Sequence, residues 1–580
     1  MRQTLLAGVT RRTWRRNPTI CWACSSRVQA RNSSTAKLDP NERFYPPTAK
    51  KPYYVTTPIF YVNAAPHVGH LYTMVFADVV KRWQTLRGRK ALLCTGTDEH
   101  GMKIQQAAEK AGSRPRFFCD QGATIFRSLA DHANVSYDYF VRTSDPKHKD
   151  AVQYAWQILQ QKGLIYASKH EGWYSISDET FYPQSAVHLI IDPATGRKHM
   201  ASIDTGKEVE WTEEVNYHFR LSQFRERLLD FYANNPTWIK PRARYDDVTK
   251  AVTEGLEDLS ISRPSSRLTW GVPVPGDSTQ TIYVWLDALL NYATAAGYPW
   301  SPEEAYARGW PADCQVVGKD IIRFHCIYWP AILMALDMPL PGCIVTHAHW
   351  TIGKQKMAKS TGNVVNPFLA LDRFGTDVMR YYLMHDGRLS DDSDYSNHAI
   401  GERYRIGLQQ ALGNLLSRVT RAKRWNVRAA VVSASKKDWE PSTEEDVVMW
   451  KRLYYVSHEV SLEMERFRVA AGLRSVMELI YKTNQYMQHA EPWKLRSVDQ
   501  QSRLETIIYI AAEALRISGI LLQPYMPTKA HQLLDILGVE AHKRRLHDAR
   551  PGMDVGYGGS GVVDRDGVVG TLFPPLIADV

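Results

Sequence analysis

The sequence predicts an α/β fold, a Rossmann-like parallel sheet split by a small connective insertion, followed by an all-α bundle. Three observations predict it. A strand–helix–strand unit opens near residue 50, a second α/β stretch runs from about Tyr245 to Phe374, and from about His398 apolar residues recur only at helical spacing. Strand–helix–strand units carry crossovers, and crossovers build parallel sheets.

Each element has its own signal. Tyr53 to Val62 is β-branched and aromatic and reads as one buried strand, ended by Asn63-Ala64-Ala65-Pro66. A helix follows from about His67 to Leu86, with Leu71, Val75, Val79 and Trp83 on one face and Gly88 at its end. Ala91 to Gly96 is the next strand. Residues 165–240 show short strand-like runs and turn signals such as Asp192-Pro193-Ala194-Thr195-Gly196, the pattern of an insertion. The α/β body therefore divides into 50–164 and 241–374, with 375–397 as a linker. Over 398–545, one stripe holds Ile400, Tyr404, Leu408, Leu412, Leu416 and Val419. A second holds Leu453, Val456, Val460 and Met464, and a third Leu504, Ile508, Ala511 and Leu515. Pro524 and Pro527 stop the last helix. Residues 546–580, rich in glycine around Gly556 to Gly561, read as a C-terminal tail.

Composition sets limits. At 580 residues, 44% hydrophobic and 23% charged, the chain folds into several domains; a disordered or collagen-like chain is excluded. No run of about 18 uncharged apolar residues is present, so no membrane partner is expected. Seven cysteines are too few for a disulfide scaffold and fit a reducing compartment. Residues 1–38 hold eight of the 72 basic residues and none of the 61 acids, so without them the net charge falls from +11 to +3. That Arg-rich, acid-free start reads as a mitochondrial transit peptide, which places the rest of the chain in the mitochondrial matrix.

Two motifs carry chemistry. His67-Val68-Gly69-His70 sits where the first strand hands over to its helix, and a helix N-terminus with two imidazoles suits a phosphate. Gly69 leaves room for a nucleotide against the backbone. Lys356-Met357-Ala358-Lys359-Ser360 lies on a loop rich in Gly and Lys, where lysines can neutralise charge that shifts during phosphoryl or adenylyl transfer.

Together, in this order and on either side of an insertion, HVGH and KMAKS resemble the paired HIGH and KMSKS signatures of class I aminoacyl-tRNA synthetases. Thr57-Pro58-Ile59-Phe60-Tyr61-Val62-Asn63, Gly96-Thr97-Asp98-Glu99-His100-Gly101, Tyr283-Val284-Trp285-Leu286-Asp287-Ala288-Leu289 and Gly318-Lys319-Asp320-Ile321-Ile322-Arg323-Phe324-His325 resemble the methionyl-tRNA synthetase family in particular. The resemblance implies a methionine pocket walled by Ile59, Tyr61, Trp285, Ala288, Leu289, Tyr292 and His325. Sulfur packs well on such rings. It implies Asp98 on the substrate ammonium. It places Gly318 and Asp320 against adenosine, and His67, Gly69, His70, Lys356, Met357, Lys359 and Ser360 around ATP, with His67, His70, Lys356 and Lys359 catalytic and Mg²⁺ carried on the phosphates.

Relatives often carry CxxC zinc knuckles in the insertion. Here residues 165–240 contain no cysteine, and the one CxxC, Cys21-Trp22-Ala23-Cys24, lies in the leader, so no zinc is expected. In the bundle, Asn414, Arg418, Pro492 and Trp493 match the family positions that read a CAU anticodon. The implied partners are methionine and initiator and elongator tRNA(Met), bound by a monomer. Asn414 and Arg418 share a helix face, an indole can stack on a splayed base, and Arg403, Arg405, Arg421, Lys423, Arg424 and Arg428 can track a phosphate backbone. The expected activity is an ATP-dependent methionine–tRNA ligase. A synthetase or nucleotidyltransferase with another substrate, and an inactive RNA-binding paralogue, are the rival readings; amino-acid-dependent pyrophosphate exchange separates them.

Overall fold

A computed structural model describes residues 51–176, 180–182, 184–191, 196–203, 205–357, 363–436, 439–559 and 571–576, apart from the side chains of His170, Thr180 and Lys356. The expected leader, its Cys21–Cys24 pair, Lys359 and Ser360 lie outside the described residues.

Seven strands form one parallel sheet. They are β1 (Tyr53–Thr56), β2 (Phe60–Tyr61), β3 (Ala91–Asp98), β4 (Tyr139–Arg142), β5 (Ile239–Lys240), β6 (Cys314–Gly318) and β7 (Ile344–His347). Their order is β5–β7–β6–β1–β3–β2, with β4 also paired to β3. The order reverses at β1: the first half of the chain extends the sheet through β3, the second through β6 and β7. In open parallel sheets a ligand crevice forms at such a reversal, outside the carboxyl ends of the strands. Helix α1 (Val68–Leu86) leaves from this edge and buries most of its length against the sheet.

The structure differs from the sequence expectation in four places. The strand expected over 53–62 is two strands, because Pro58 has no N–H for a ladder; the chain jogs there and rejoins the sheet through Phe60↔Thr97 and Tyr61↔Asp98. The insertion is shorter than 165–240. Its antiparallel sheet is led by Ile165–Ser175 paired with Glu208–Phe219. By contrast, Leu228, Tyr232 and Trp238 pack in the core of the second α/β half, and β5 pairs in parallel with β7.

The 375–397 stretch is not a linker. Thr376–Asp386 is a helix wedged between α1 and the bundle, with Arg380 fully buried on Asp78 of α1 at 2.5 Å. Finally, 546–559 is part of the bundle: buried Arg516, paired with Glu513, donates to the carbonyls of Asp548 and Arg550, and Tyr557 is buried beside it.

The first bundle stripe has a spacing of four, wider than the 3.6 of an α-helix. The chain accommodates it with a π-helical stretch, Tyr404–Gly413, between Asn397–Arg403 and Asn414–Arg421. Glu444–Glu465 and Val469–Ala490 flank Gln501–Leu522, which is buried from Thr506 to Leu522 and forms the bundle's centre. Pro527 occupies the first turn of the next helix, where its missing N–H is harmless. Among the described residues no helix is long and apolar enough to cross a membrane.

Candidate active site

A cavity of about 370 Å³ opens at the carboxyl ends of β1, β6 and β7, where the strand order reverses. One wall is the start of α1. Gly69 N–H donates to His67 Nδ1 at 3.0 Å, and His67 N–H donates to His70 Nδ1 at 3.0 Å. This is a capping box built from two imidazoles in place of the usual Ser/Thr and Glu/Gln. It fixes both tautomers. A Nδ1 that accepts a backbone N–H carries no proton, so each neutral ring carries its proton on Nε2 and presents a donor there. The rings stack at 3.9 Å. Gly69 owes its identity to this arrangement, since a Cβ there would meet His67 Cε1 at 2.8 Å.

The opposite wall follows β6 and β7. Gly318 ends β6, and a Cβ on it would meet Asp320 Oδ1 at 2.5 Å. Asp320 in turn faces His349 Nε2 at 3.2 Å. Thr73 Oγ1 meets His347 Nε2 at 2.8 Å, tying α1 to the end of β7. The sequence reading missed Thr73, Lys103, His347 and His349, all of which line the cavity. A signal was present: Thr346-His347-Ala348-His349 runs off the carboxyl end of the buried strand β7.

The Lys356 segment leaves this wall as a hairpin. Trp350–Ile352 pairs antiparallel with Gln355–Lys356 around Gly353 and Lys354, both at positive φ, +58° and +63°. Asp394 pins the turn by accepting from Lys354 N–H at 3.0 Å and Thr351 Oγ1 at 2.8 Å. Met357 reaches the cavity.

The structure thus gathers Ile59, Tyr61, His67, Gly69, His70, Gly318, Asp320 and Met357 around one cavity. Asp98, Trp285, Ala288, Leu289, Tyr292 and His325 do not line it. All six are buried. Trp285 meets the edge of Tyr61 at 6.5 Å and stacks on Phe324 at 3.5 Å. Its helix is held from behind: Asp287 accepts from His100 Nδ1 at 2.6 Å and His148 Nε2 at 2.7 Å. Burial alone would raise the Asp287 pKa, but these two histidines hold it at about 2.

His325 Nδ1 donates to Ile321 O at 3.0 Å, so Nε2 accepts from the Tyr292 hydroxyl at 2.6 Å. Burial pushes His325 and His347 each down to about 4. An unfolded histidine titrates near 6.5. Between about 6.5 and 4 the unfolded chain therefore binds more protons than the folded one, and stability falls as pH is lowered through that window. Urea midpoints from about pH 7.5 to 4.5 check this; a flat curve contradicts it.

At the far end of the bundle, Arg418 lies over the Trp493 ring at 5.3 Å, with Asn414 exposed one turn before it on the same helix and Pro492 buried. Among the described residues no group of three or more His, Cys, Asp or Glu side chains converges to hold a metal.

Comparison with known proteins agrees with this geometry. A family profile described as tRNA synthetases class I (M) matches residues 53–420, and one described as the anticodon binding domain of methionyl tRNA ligase matches 441–556. A probable mitochondrial methionine–tRNA ligase of Neurospora crassa is 50% identical over 99% of this chain and 93% of its own length. The mitochondrial methionine–tRNA ligase of Homo sapiens is 42% identical over 85% of each chain. The Mycobacterium tuberculosis methionyl-tRNA synthetase in complex with methionyl-adenylate superposes with a TM-score of 0.82 at 35% identity, covering 90% of this chain and all of that one. The chain belongs to the methionyl-tRNA synthetases of class I, ATP-dependent methionine–tRNA ligases.

Proposed function

We propose that this cavity activates methionine in the mitochondrial matrix, with ATP bringing Mg²⁺ on its phosphates and no zinc held by the protein. The observation that carries the reading is the pair of Nε2–H donors fixed at the N-terminus of α1. Two directed donors and the positive end of a helix suit a triphosphate. The methionine carboxylate attacks the α-phosphorus in line, the bond to pyrophosphate breaks, and methionyl-adenylate remains. The terminal ribose hydroxyl of the tRNA then attacks the methionyl carbonyl and AMP leaves. His67, His70, Lys356 and Lys359 act on the charge that develops on the phosphates. Gly318 and Asp320 face adenosine, and Gly69, Met357 and Ser360 complete the ATP site. Asp98 takes the methionine ammonium. Ile59, Tyr61, Trp285, Ala288, Leu289, Tyr292 and His325 form the side-chain pocket. Pyrophosphate exchange tested across the amino acids should respond to methionine, and Trp285→Ala should raise the methionine KM strongly and the ATP KM little. Unchanged methionine KM would make Trp285 a core residue only.

The second half of the proposal concerns the tRNA. Asn414, Arg418, Pro492 and Trp493 read the CAU anticodon of initiator and elongator tRNA(Met), and the enzyme works as a monomer. The Arg418–Trp493 contact supports this, since a cation over an indole leaves the other ring face for a base. Stacking on one base is worth roughly 1–3 kcal/mol, so Trp493→Ala should lower charging of both tRNAs by about 5- to 150-fold and spare pyrophosphate exchange. Loss of exchange would assign Trp493 to the fold instead.

A further inference from the structure

Asp287, His100 and His148 form a polar cluster where a core would ordinarily be apolar. Asp287 sits on the helix Val284–Leu289, in sequence between Trp285 and Ala288, and all three side chains are buried. Asp287 accepts from His100 Nδ1 at 2.6 Å and from His148 Nε2 at 2.7 Å. A carboxylate between two imidazoles is costly to bury, and apolar residues of similar volume are often as stable or more so. What such a network supplies, once its groups are satisfied, is a fixed geometry. Asp287 itself does not line the adenylation cavity.

The elements it joins are those that carry Asp98 and Trp285. Asp98 ends β3, and Glu99 and His100 follow it. Glu99 accepts from Arg142 at 2.6 and 2.9 Å and from the Ser144 hydroxyl, and its N–H donates to Thr143 Oγ1 at 2.9 Å. Residues 142–148 therefore hold both elements: Arg142, Thr143 and Ser144 take Glu99, and His148 takes Asp287. The His148 ring is fixed in turn, with Nδ1 3.0 Å from Thr294 Oγ1. His100 closes the triangle, and the bond to Asp287 is its ring's one hydrogen bond among the described residues. An apolar wall attracts without direction, so it measures the length of a side chain only from an ammonium held at a set distance. We propose that Asp287 is a positioning residue for specificity: by bridging His100 and His148 it fixes the distance from Asp98 to the wall at Trp285, Ala288 and Leu289, and so sets the chain length of the amino acid accepted. This rests on the methionine reading above and assigns the residue that gives that site its length.

Two methionine analogues read that distance. Homomethionine has one more methylene between the α-carbon and sulfur, and ethionine has one more beyond sulfur. One methylene in a fitted pocket is worth about 10–200-fold in kcat/KM. Asn at 287 cannot accept from both imidazoles as a carboxylate does. In Asp287→Asn the methionine KM in pyrophosphate exchange should rise about tenfold or more, with the ATP KM nearly unchanged. Its preference for methionine over homomethionine should fall about fivefold or more, and its preference over ethionine much less. His148→Leu should move both quantities the same way. His148→Gln, which keeps an N–H donor for Asp287, should return them toward wild type. If Asp287→Asn does not fold, the two His148 variants decide the matter. Unchanged preference over homomethionine in the Asn and Leu variants overturns the proposal. So does an equal loss of preference over both analogues, which would mean that the pocket has loosened as a whole. If wild-type exchange does not respond to methionine, the methionine reading fails and this assignment with it; a wild-type response with unaltered variants removes this assignment alone.

Discussion

His70→Ala is expected to slow methionyl-adenylate formation by about 10²–10³ while lowering stability by only about 1 kcal/mol. The two effects have separate sources. The rate falls because a fixed donor at the phosphate site is lost, and one such contact is worth about 2.7–4 kcal/mol in the transition state. Stability falls because His67 N–H loses its acceptor at the start of α1. His70→Glu separates them. Glu is the usual residue at this capping position, so the cap should be restored and the denaturation midpoint should return toward wild type. Its carboxylate would then face the phosphates, and adenylation should be slower than in the Ala variant. Single-turnover adenylation and urea melts on the two variants check this. A Glu variant that is faster than Ala would remove His70 from the phosphate site.

Arg380→Met should lower stability by about 3–5 kcal/mol, the usual result of removing one partner of a buried ion pair. Arg380 and Asp78 are fully buried, and the guanidinium also donates to the carbonyls of Ala133, Pro524 and Tyr525. Those groups come from the α/β body and from the turn after the central bundle helix, so one side chain satisfies acceptors from both. Met keeps an unbranched apolar stem and supplies no donor. Charging of tRNA should suffer more than pyrophosphate exchange, because the bundle loses its seat while the cavity at β1 does not. A loss below about 1 kcal/mol in urea titrations contradicts this account.

Much of the site was legible because its residues follow strands. His67 and Gly318 stand just past, or at the end of, apolar runs, and a parallel sheet brings such ends together. The rest was hidden for physical reasons. Thr376–Asp386 reads as a linker because it is buried on nearly every side and so lacks an amphipathic stripe. Gly375 and Gly387 flank it like punctuation. The π-helical turn was present in the sequence as a spacing of four, which an α-helical reading absorbs without notice. That the His67 ring crowds Gly69 was not legible, because a glycine does not name the group beside it. His347 and His349 went unnoticed because no second motif marked them.

The position of β1 at the middle of the sheet also governs the order in which the molecule can assemble. Tyr54 N–H donates to Asp313, 259 positions later, and Val55 pairs with Cys314 across the same gap. Until β6 has been synthesised, one side of β1 is an open edge with unpaired amides and carbonyls. At roughly 5–20 residues per second that interval is on the order of tens of seconds. Contacts so distant in sequence form late, after the loop-closure entropy between them has been overcome. The nascent chain therefore carries a half-built sheet over some 259 of its 580 residues, with an open strand edge at the future centre of the enzyme until the second half arrives.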